Sequence, residues 1–127
     1  MLKIGIPLKR IILALIVTTV CTMGLASPAH AYFKTPKGAV SCFYEGSIYC
    51  WRPNDGFTVQ MTYRGYPTKH YSTANVGERP KGYPLLRYGK TFRVGKLRCT
   101  SRRTGLTCKN RRGHGWWLGR YVGYRLF

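Results

Sequence analysis

The amino-acid sequence predicts a mainly β fold, either a small antiparallel sheet or a partly open barrel of short strands and hairpins, stapled by two disulfides. Short alternating runs recur between Gly and Pro turns, no segment shows sustained helical periodicity, and cysteines stand where they can close two hairpins. No internal repeat of useful length is visible. Folds of this class are built from hairpins that bury one face of each strand.

The N-terminal segment has the organisation of a secretory signal peptide. Three basic residues occur within the first ten, residues 11–20 form an apolar stretch, and an Ala-His-Ala cleavage site ends the segment. A retained membrane anchor is the alternative, but the strongly apolar stretch is shorter than the roughly 20 residues that a membrane-spanning helix needs. We therefore expect a cleaved signal peptide at residues 1–31 and a single secreted domain at residues 32–127, with no membrane span after processing.

Removal of that segment would discard Cys21 and leave four cysteines, Cys42, Cys50, Cys99 and Cys108. An even number in an exported domain of this size favours disulfides over metal binding or catalysis. Four cysteines allow three connectivities, and we expect the local pairing, first with second and third with fourth. Each bridge would close a loop of about ten residues and contribute roughly 2 to 3 kcal/mol on the chain-entropy model.

The predicted mature domain is strongly cationic. Of the 22 Lys and Arg, 19 lie beyond residue 31, against the three acidic residues Glu45, Asp55 and Glu78, which gives a net charge of +16 in 96 residues. Such a charge makes attraction to polyanions strong and sensitive to salt. Charge alone does not choose among nucleic acid, teichoic-acid-like polymers, anionic lipid and acidic polysaccharide.

The first half of this domain predicts an extended lead-in at residues 32–37 and a hairpin at residues 39–51. A three-residue loop at residues 45–47 would set the first cysteine opposite the second. After a turn at residues 53–56, apolar and polar residues alternate through residues 57–63, which predicts a strand with one buried face.

The middle of the domain has no strand pattern. Three Gly and three Pro interrupt residues 64–84, which we expect to form a long surface loop. Loops of that length are uncommon unless they are functional or mobile.

The C-terminal segment predicts a second disulfide-closed hairpin. A four-residue loop at residues 102–105 would place Ser101 opposite Leu106 and Cys99 opposite Cys108, within reach of a disulfide. Five short strands are expected in this segment, at residues 91–94, 96–101, 106–109, 116–118 and 121–126.

A family resemblance is carried by this same segment. It contains G-x3-C-x-S-x3-G-L-T-C-x-N at residues 95–110 and G-H-G at residues 113–115, and the domain opens with F-x-T-P-x-G at residues 33–38. These motifs resemble a family of small secreted bacterial domains, mainly actinobacterial, that has no assigned function. The resemblance implies export, disulfides and a small β-rich fold, and it implies no catalytic residue.

Basic and aromatic residues interleave near the C-terminus, a composition that suits stacking plus charge attraction to a polymer. The alternative is that the aromatic residues form a core while Arg and Lys solvate its outside. Adjacent strand residues face opposite ways, so we expect Trp116 and Trp117 to lie on opposite faces, one of them exposed or covered by the long loop. The predicted polyanion-binding residues are Arg102, Arg103, Lys109, Arg111, Arg112, Trp116, Trp117, Arg120 and Arg125.

His114 is the one candidate catalytic residue. In a ribonuclease-like site it could act with His70 and Glu45 while Arg111 or Arg112 held phosphate. The alternative is a turn histidine whose flanking glycines serve the backbone, and nothing in the spacing shows that the three groups meet. No closed set of metal ligands is visible, and we expect no metal and no cofactor.

These observations favour a secreted, non-enzymatic cationic protein that binds an anionic extracellular or cell-envelope polymer. We prefer a cell-envelope polymer or polysaccharide to nucleic acid, because that is what lies outside a bacterium. A small secreted ribonuclease or toxin-like enzyme is one alternative. A membrane-active antimicrobial protein is another, although no amphipathic helix is evident.

Overall fold

The structure, a computed structural model, describes residues 31–127. Cys21 and all but the last residue of the predicted signal peptide lie outside the described residues. In the described part, no helix is long and apolar enough to span a membrane.

Within residues 31–127, ten strands form two five-stranded antiparallel sheets, and each sheet follows the order of the chain. The first sheet contains β1 (Ala31–Lys34), β2 (Ser41–Tyr44), β3 (Ser47–Arg52), β4 (Phe57–Thr62) and β5 (Thr68–Tyr71). The second contains β6 (Thr91–Val94), β7 (Leu97–Arg102), β8 (Gly105–Lys109), β9 (Gly115–Gly119) and β10 (Tyr124–Leu126). Short 3-10 turns occupy Pro36–Gly38 and Thr73–Asn75. The predicted mainly β fold of short antiparallel strands is confirmed, and the strands divide into two open sheets.

Both predicted disulfides are confirmed. Cys42 lies directly opposite Cys50 on β2 and β3, and Cys99 lies opposite Cys108 on β7 and β8. All four cysteines are fully buried between the sheets. The inner faces of both sheets contribute to one core, which contains Phe33, Val40, Ile48, Phe57, Val59, Met61, Leu97, Leu106, Trp116 and Leu118 with the two disulfides.

The expected long loop is wrong in part. Residues 68–71 pair with β4 as the edge strand β5, and Thr73–Asn75 form a 3-10 turn. All four residues of β5 are exposed, so the strand has no buried face to impose alternation on its sequence. Its position depends on backbone pairing to β4, which local sequence does not reveal.

The two sheets have the same internal arrangement, a repeat that the sequence does not show. Phe33 on β1 faces Cys42. In the same way Phe92 on β6 faces Cys99. The two phenylalanine rings contact each other with centroids 4.7 Å apart. Each sheet is therefore a five-strand unit with its disulfide between the second and third strands, and the two units meet across the core.

Arg52, the last residue of β3, joins the first unit to the second. Its side chain is buried, and Nη1 donates to the carbonyl oxygens of Gly119 and Gly123, each at 2.9 Å. These carbonyls bracket the turn between β9 and β10. Nε and Nη2 donate to the two carboxylate oxygens of Asp55 at 3.0 and 2.9 Å, so the guanidinium is satisfied by a bidentate ion pair.

Asn110 makes the reciprocal connection. It follows the third strand of the second unit, as Arg52 ends the third strand of the first. Its Nδ2 donates to the carbonyl oxygens of Thr62 and Gly65 in the β4–β5 turn at 3.1 and 2.8 Å. Its Oδ1 accepts from the backbone N–H groups of Arg112 and His114 at 3.0 and 3.1 Å. We call Arg52 and Asn110 the cross-braces, because each fastens a turn of the other sheet.

Acid should weaken this arrangement through Asp55. Burial raises the pKa of the Asp55 carboxyl, but the hydrogen bonds and charge of Arg52 and the N–H of Phe57 outweigh burial and hold the pKa below its ordinary value. A depressed folded-state pKa gives stabilisation that is complete above the unfolded pKa of about 3.9 and is lost as pH falls through the folded value. Denaturant titrations from neutral pH down to about pH 2 should therefore show Asp55→Asn with a lower stability at neutral pH and a shallower decline on acidification. Parallel curves of stability against pH for the wild type and Asp55→Asn would contradict this role of Asp55.

Candidate functional site: the outer face of the second sheet

Positive charge is concentrated in the second half of the described chain. Residues 31–78 carry five Lys or Arg and three acidic residues, a net charge of +2. Residues 79–127, which contain the second sheet, carry fourteen Lys or Arg and no acidic residue. The field around the protein is therefore strongly asymmetric, and it is most positive over the second sheet.

Three cations lie side by side across the second sheet. Arg93 on β6 faces Arg98 on β7, and Arg98 faces Lys109 on β8. All three side chains are exposed. Directly opposed residues on neighbouring strands share a face, with Cβ atoms about 5 Å apart, and like charges in that position destabilise the sheet. We call these residues the cation row.

The cation row borders a cleft of about 650 Å³. Lys96 from the β6–β7 turn and Arg111 from the β8–β9 turn also line it, together with Asn110. The cleft thus collects five cations and no acidic side chain. Asn110 is fixed by its bracing hydrogen bonds, so one of the two lining turns is held in place.

A second row runs beside the first, two residues further along the strands. It begins with three threonines, Thr91, Thr100 and Thr107, and continues with Trp117 and Arg125 in register across β6 to β10. The hydroxyl oxygens of Thr91 and Thr100 lie 3.0 Å apart and share a hydrogen bond. We call the three threonines the hydroxyl row.

An alternating stack of cations and rings lies beside the β7–β8 turn. The guanidinium carbons of Arg103 and Arg120 lie 5.6 and 5.7 Å from the ring centroid of Tyr88, and Arg120 also lies 4.8 Å from Tyr121. Arg103, Arg120 and Tyr121 line a hollow of about 360 Å³ with Trp117. A smaller hollow of about 250 Å³ lies between Trp117, Tyr124 and Arg125. Trp117 is thus a wall of both hollows.

The predicted polyanion-binding residues separate into groups. Lys109 and Arg111 line the basic cleft, and Trp117 and Arg125 continue the hydroxyl row. Arg103 and Arg120 stand in the stack around Tyr88. Two others are exposed: Arg102 at the end of β7 and Arg112 in the β8–β9 turn.

Trp116 must be removed from the predicted set. Its side chain is fully buried and lies opposite Cys108 on the inner face of the sheet. Trp117 is half-buried on the outer face, so the prediction that the two rings face opposite ways is confirmed. Gly123 and Arg125 lie close to the Trp117 ring, which lines two surface hollows. Of the two expected alternatives, exposure or cover by the long loop, the first therefore applies in part.

Sequence reasoning missed Arg93, Lys96 and Arg98 as site residues. A signal for them was present: a tight turn at Gly95 between two predicted strands sets residue 93 opposite residue 98. Extending that register across the Cys99–Cys108 pair adds Lys109. The cation row follows from combining two hairpins.

The three groups of the ribonuclease-like hypothesis occupy separate parts of the fold. His114 lies in the β8–β9 turn, and its ring packs on Tyr66 with centroids 3.8 Å apart. His70 is on the edge strand β5, and Glu45 is exposed in the β2–β3 turn. Among residues 31–127, no hydrogen bond or ion pair joins these groups, and no three His, Cys, Asp or Glu side chains cluster as a metal site requires.

Part of the chain is similar to a known protein family. Residues 66–126 match the model of DUF6636, a family of unknown function. The chain matches no curated protein and no solved structure. The matched segment begins just before β5 and includes the whole second sheet, so the cation row, the hydroxyl row and Asn110 all lie within it.

Proposed function

We propose that the protein binds an anionic polymer outside the cell, without catalysis, through the outer face of the second sheet. The observation that carries this proposal is the cation row, three cations on adjacent strands of one face. No acidic side chain from residues 79–127 is available to neutralise them.

Electrostatics explains why an anion suits this position. Like charges on directly opposed side chains, whose Cβ atoms are about 5 Å apart, repel one another even in water, and the two further cations of the cleft add to the repulsion. A protein that keeps such a cluster gives up stability in the free state. Phosphate, sulfate or carboxylate groups would remove that repulsion and form charge-assisted hydrogen bonds with the guanidinium groups.

The proposed location rests on the disulfides and on the predicted signal peptide. Two buried disulfides persist in oxidising compartments such as the space outside the bacterial cytoplasm. In that space the available polyanions are envelope polymers and acidic polysaccharides, which supports the choice of these over nucleic acid. The ribonuclease alternative has no support from the geometry, because His114 lacks a hydrogen-bonded acid or base among the described residues.

Affinity should depend steeply on salt, and the cation row should account for much of that dependence. The probe is fluorescently labelled polyphosphate, titrated at several salt concentrations with oxidised protein. Replacing Arg93, Arg98 and Lys109 together with Gln should weaken binding at least tenfold and lower the slope of log affinity against log salt by about two to three. The same variant should be slightly more stable than wild type, because its cross-strand repulsion is gone.

The matched control removes three exposed cations that line a separate hollow beside the Pro36–Gly38 turn, with Gln at Lys37, Arg79 and Lys81. It changes net charge equally but should lose much less affinity, because none of these three side chains lines the cleft. Equal losses in the two variants would show that net charge alone is responsible. Cleavage of labelled RNA that disappears in His114→Ala would replace the proposal with the enzymatic alternative.

A further inference from the structure

We infer that the anionic polymer is an acidic polysaccharide, whose sugar rings lie along the hydroxyl row and on Trp117. This inference rests on the proposed function and specifies its ligand. The cation row would bind the acidic substituents along one side of the polysaccharide. The threonines and the indole of Trp117 would contact its sugar rings.

The hydroxyl row offers both donors and acceptors in a line. Each threonine hydroxyl has one proton and two acceptor positions, and the bond between Thr91 and Thr100 uses only one donor and one acceptor. Sugar hydroxyls have the same dual capacity, so they can pair with the row in either sense. From β6 to β10 the face extends about 19 Å across the strands, which accommodates several consecutive sugars.

Trp117 is the aromatic platform at the end of this row. The chain's other two described tryptophans, Trp51 and Trp116, are 4% and 0% exposed, whereas Trp117 is half-buried on the outer face. The negative face of an indole attracts the C–H groups of a sugar ring. The guanidinium carbon of Arg125 lies over the Trp117 ring, 6.0 Å from its centroid. A sugar that stacks on this face would displace the guanidinium, which could then pair with the acidic group of that sugar.

The spacing of the two rows matches an acidic sugar chain. The rows are two residues apart along the strands, about 6 to 7 Å. A ring on the hydroxyl row therefore holds its carboxylate or sulfate within reach of the long side chains of Arg98 and Lys109. Single-stranded nucleic acid instead needs a succession of open rings, roughly one for each base, whereas the hydroxyl row and its continuation offer three hydroxyls and the single ring of Trp117.

The test compares three labelled polymers: polygalacturonate, polyphosphate and single-stranded RNA. Polygalacturonate has sugar rings and carboxylates, and polyphosphate has charge without rings. Trp117→Ala should weaken polygalacturonate binding about tenfold and leave polyphosphate binding within twofold, while Trp117→Tyr should restore most of the loss. Thr100→Val, which keeps the shape and removes one hydroxyl, should weaken polygalacturonate about threefold.

The matched control is Tyr32→Ala, which removes an exposed ring from the first sheet, outside both rows and the cleft, and should leave polygalacturonate binding unchanged. Polygalacturonate should also shift the tryptophan fluorescence emission of the wild-type protein, and this shift should vanish in Trp117→Ala. Polyphosphate binding that depends on the cation row, with polygalacturonate indifferent to Trp117, would overturn this inference and leave the proposed function standing. Stronger dependence of RNA on Trp117 would identify a nucleic-acid surface. Failure of all three polymers to bind would end the proposed function itself.

Discussion

Arg52→Ala is expected to lower the free energy of unfolding by about 2 to 4 kcal/mol, because a buried guanidinium that satisfies two carbonyl oxygens and a partly exposed carboxylate is lost. The substitution leaves the buried carbonyl oxygen of Gly119 and the partly buried one of Gly123 without their donor, and it leaves Asp55 without its cation. It also releases the β9–β10 turn from the first sheet. Urea denaturation with the disulfides intact measures the effect.

Two further variants distinguish the loss of these hydrogen bonds from the loss of one positive charge. Arg64→Ala removes an exposed arginine from the β4–β5 turn and should change stability by less than about 0.5 kcal/mol. Arg52→Lys should recover little, because one ammonium group cannot reproduce a planar fork that binds a carboxylate and two carbonyls. A loss below about 1 kcal/mol for Arg52→Ala would show that the two sheets do not depend on this brace.

Removal of either disulfide is expected to cost about 2 to 5 kcal/mol, and removal of both should prevent stable folding. The bridges close loops of similar length, with sequence separations of 8 and 9, and both lie wholly within the core. Paired Cys→Ala variants at Cys42 and Cys50, and at Cys99 and Cys108, avoid burying a hydroxyl. A protein of this size buries only part of its unfolded surface and has little stability to spare.

Chemical reduction gives the matching measurement in the unaltered chain. Mass spectrometry after alkylation should find no free thiol among these four cysteines in protein purified without reductant, and reduction should abolish the cooperative thermal transition. Four free thiols in folded protein purified in this way would contradict the stabilising role. Because the two units have equivalent bridges, strongly unequal costs would show that one sheet folds with little help from its disulfide.

The sequence alone determined the features that depend on neighbouring residues. Alternation with a period of two identified most of the strands, and hairpin loop lengths set Cys42 opposite Cys50 and Cys99 opposite Cys108, because pairing across a short turn leaves little freedom. The same alternation separated Trp116 from Trp117. The sequence also determined the strong positive charge, although the charge alone did not identify which polyanion the protein would bind.

Tertiary structure alone decided what depends on strands that are distant in the chain. The exposed edge strand β5 has no burial pattern, so only its pairing with β4 reveals it. The likeness of the two five-strand units becomes visible only once their strands are paired. Their bracing by Arg52 and Asn110 depends on hydrogen bonds between residues 45 to 71 positions apart in the chain. The cation row likewise combines two hairpins. Local sequence periodicity specifies which face a residue takes within a strand, whereas a binding surface also requires the register between strands and the packing between sheets.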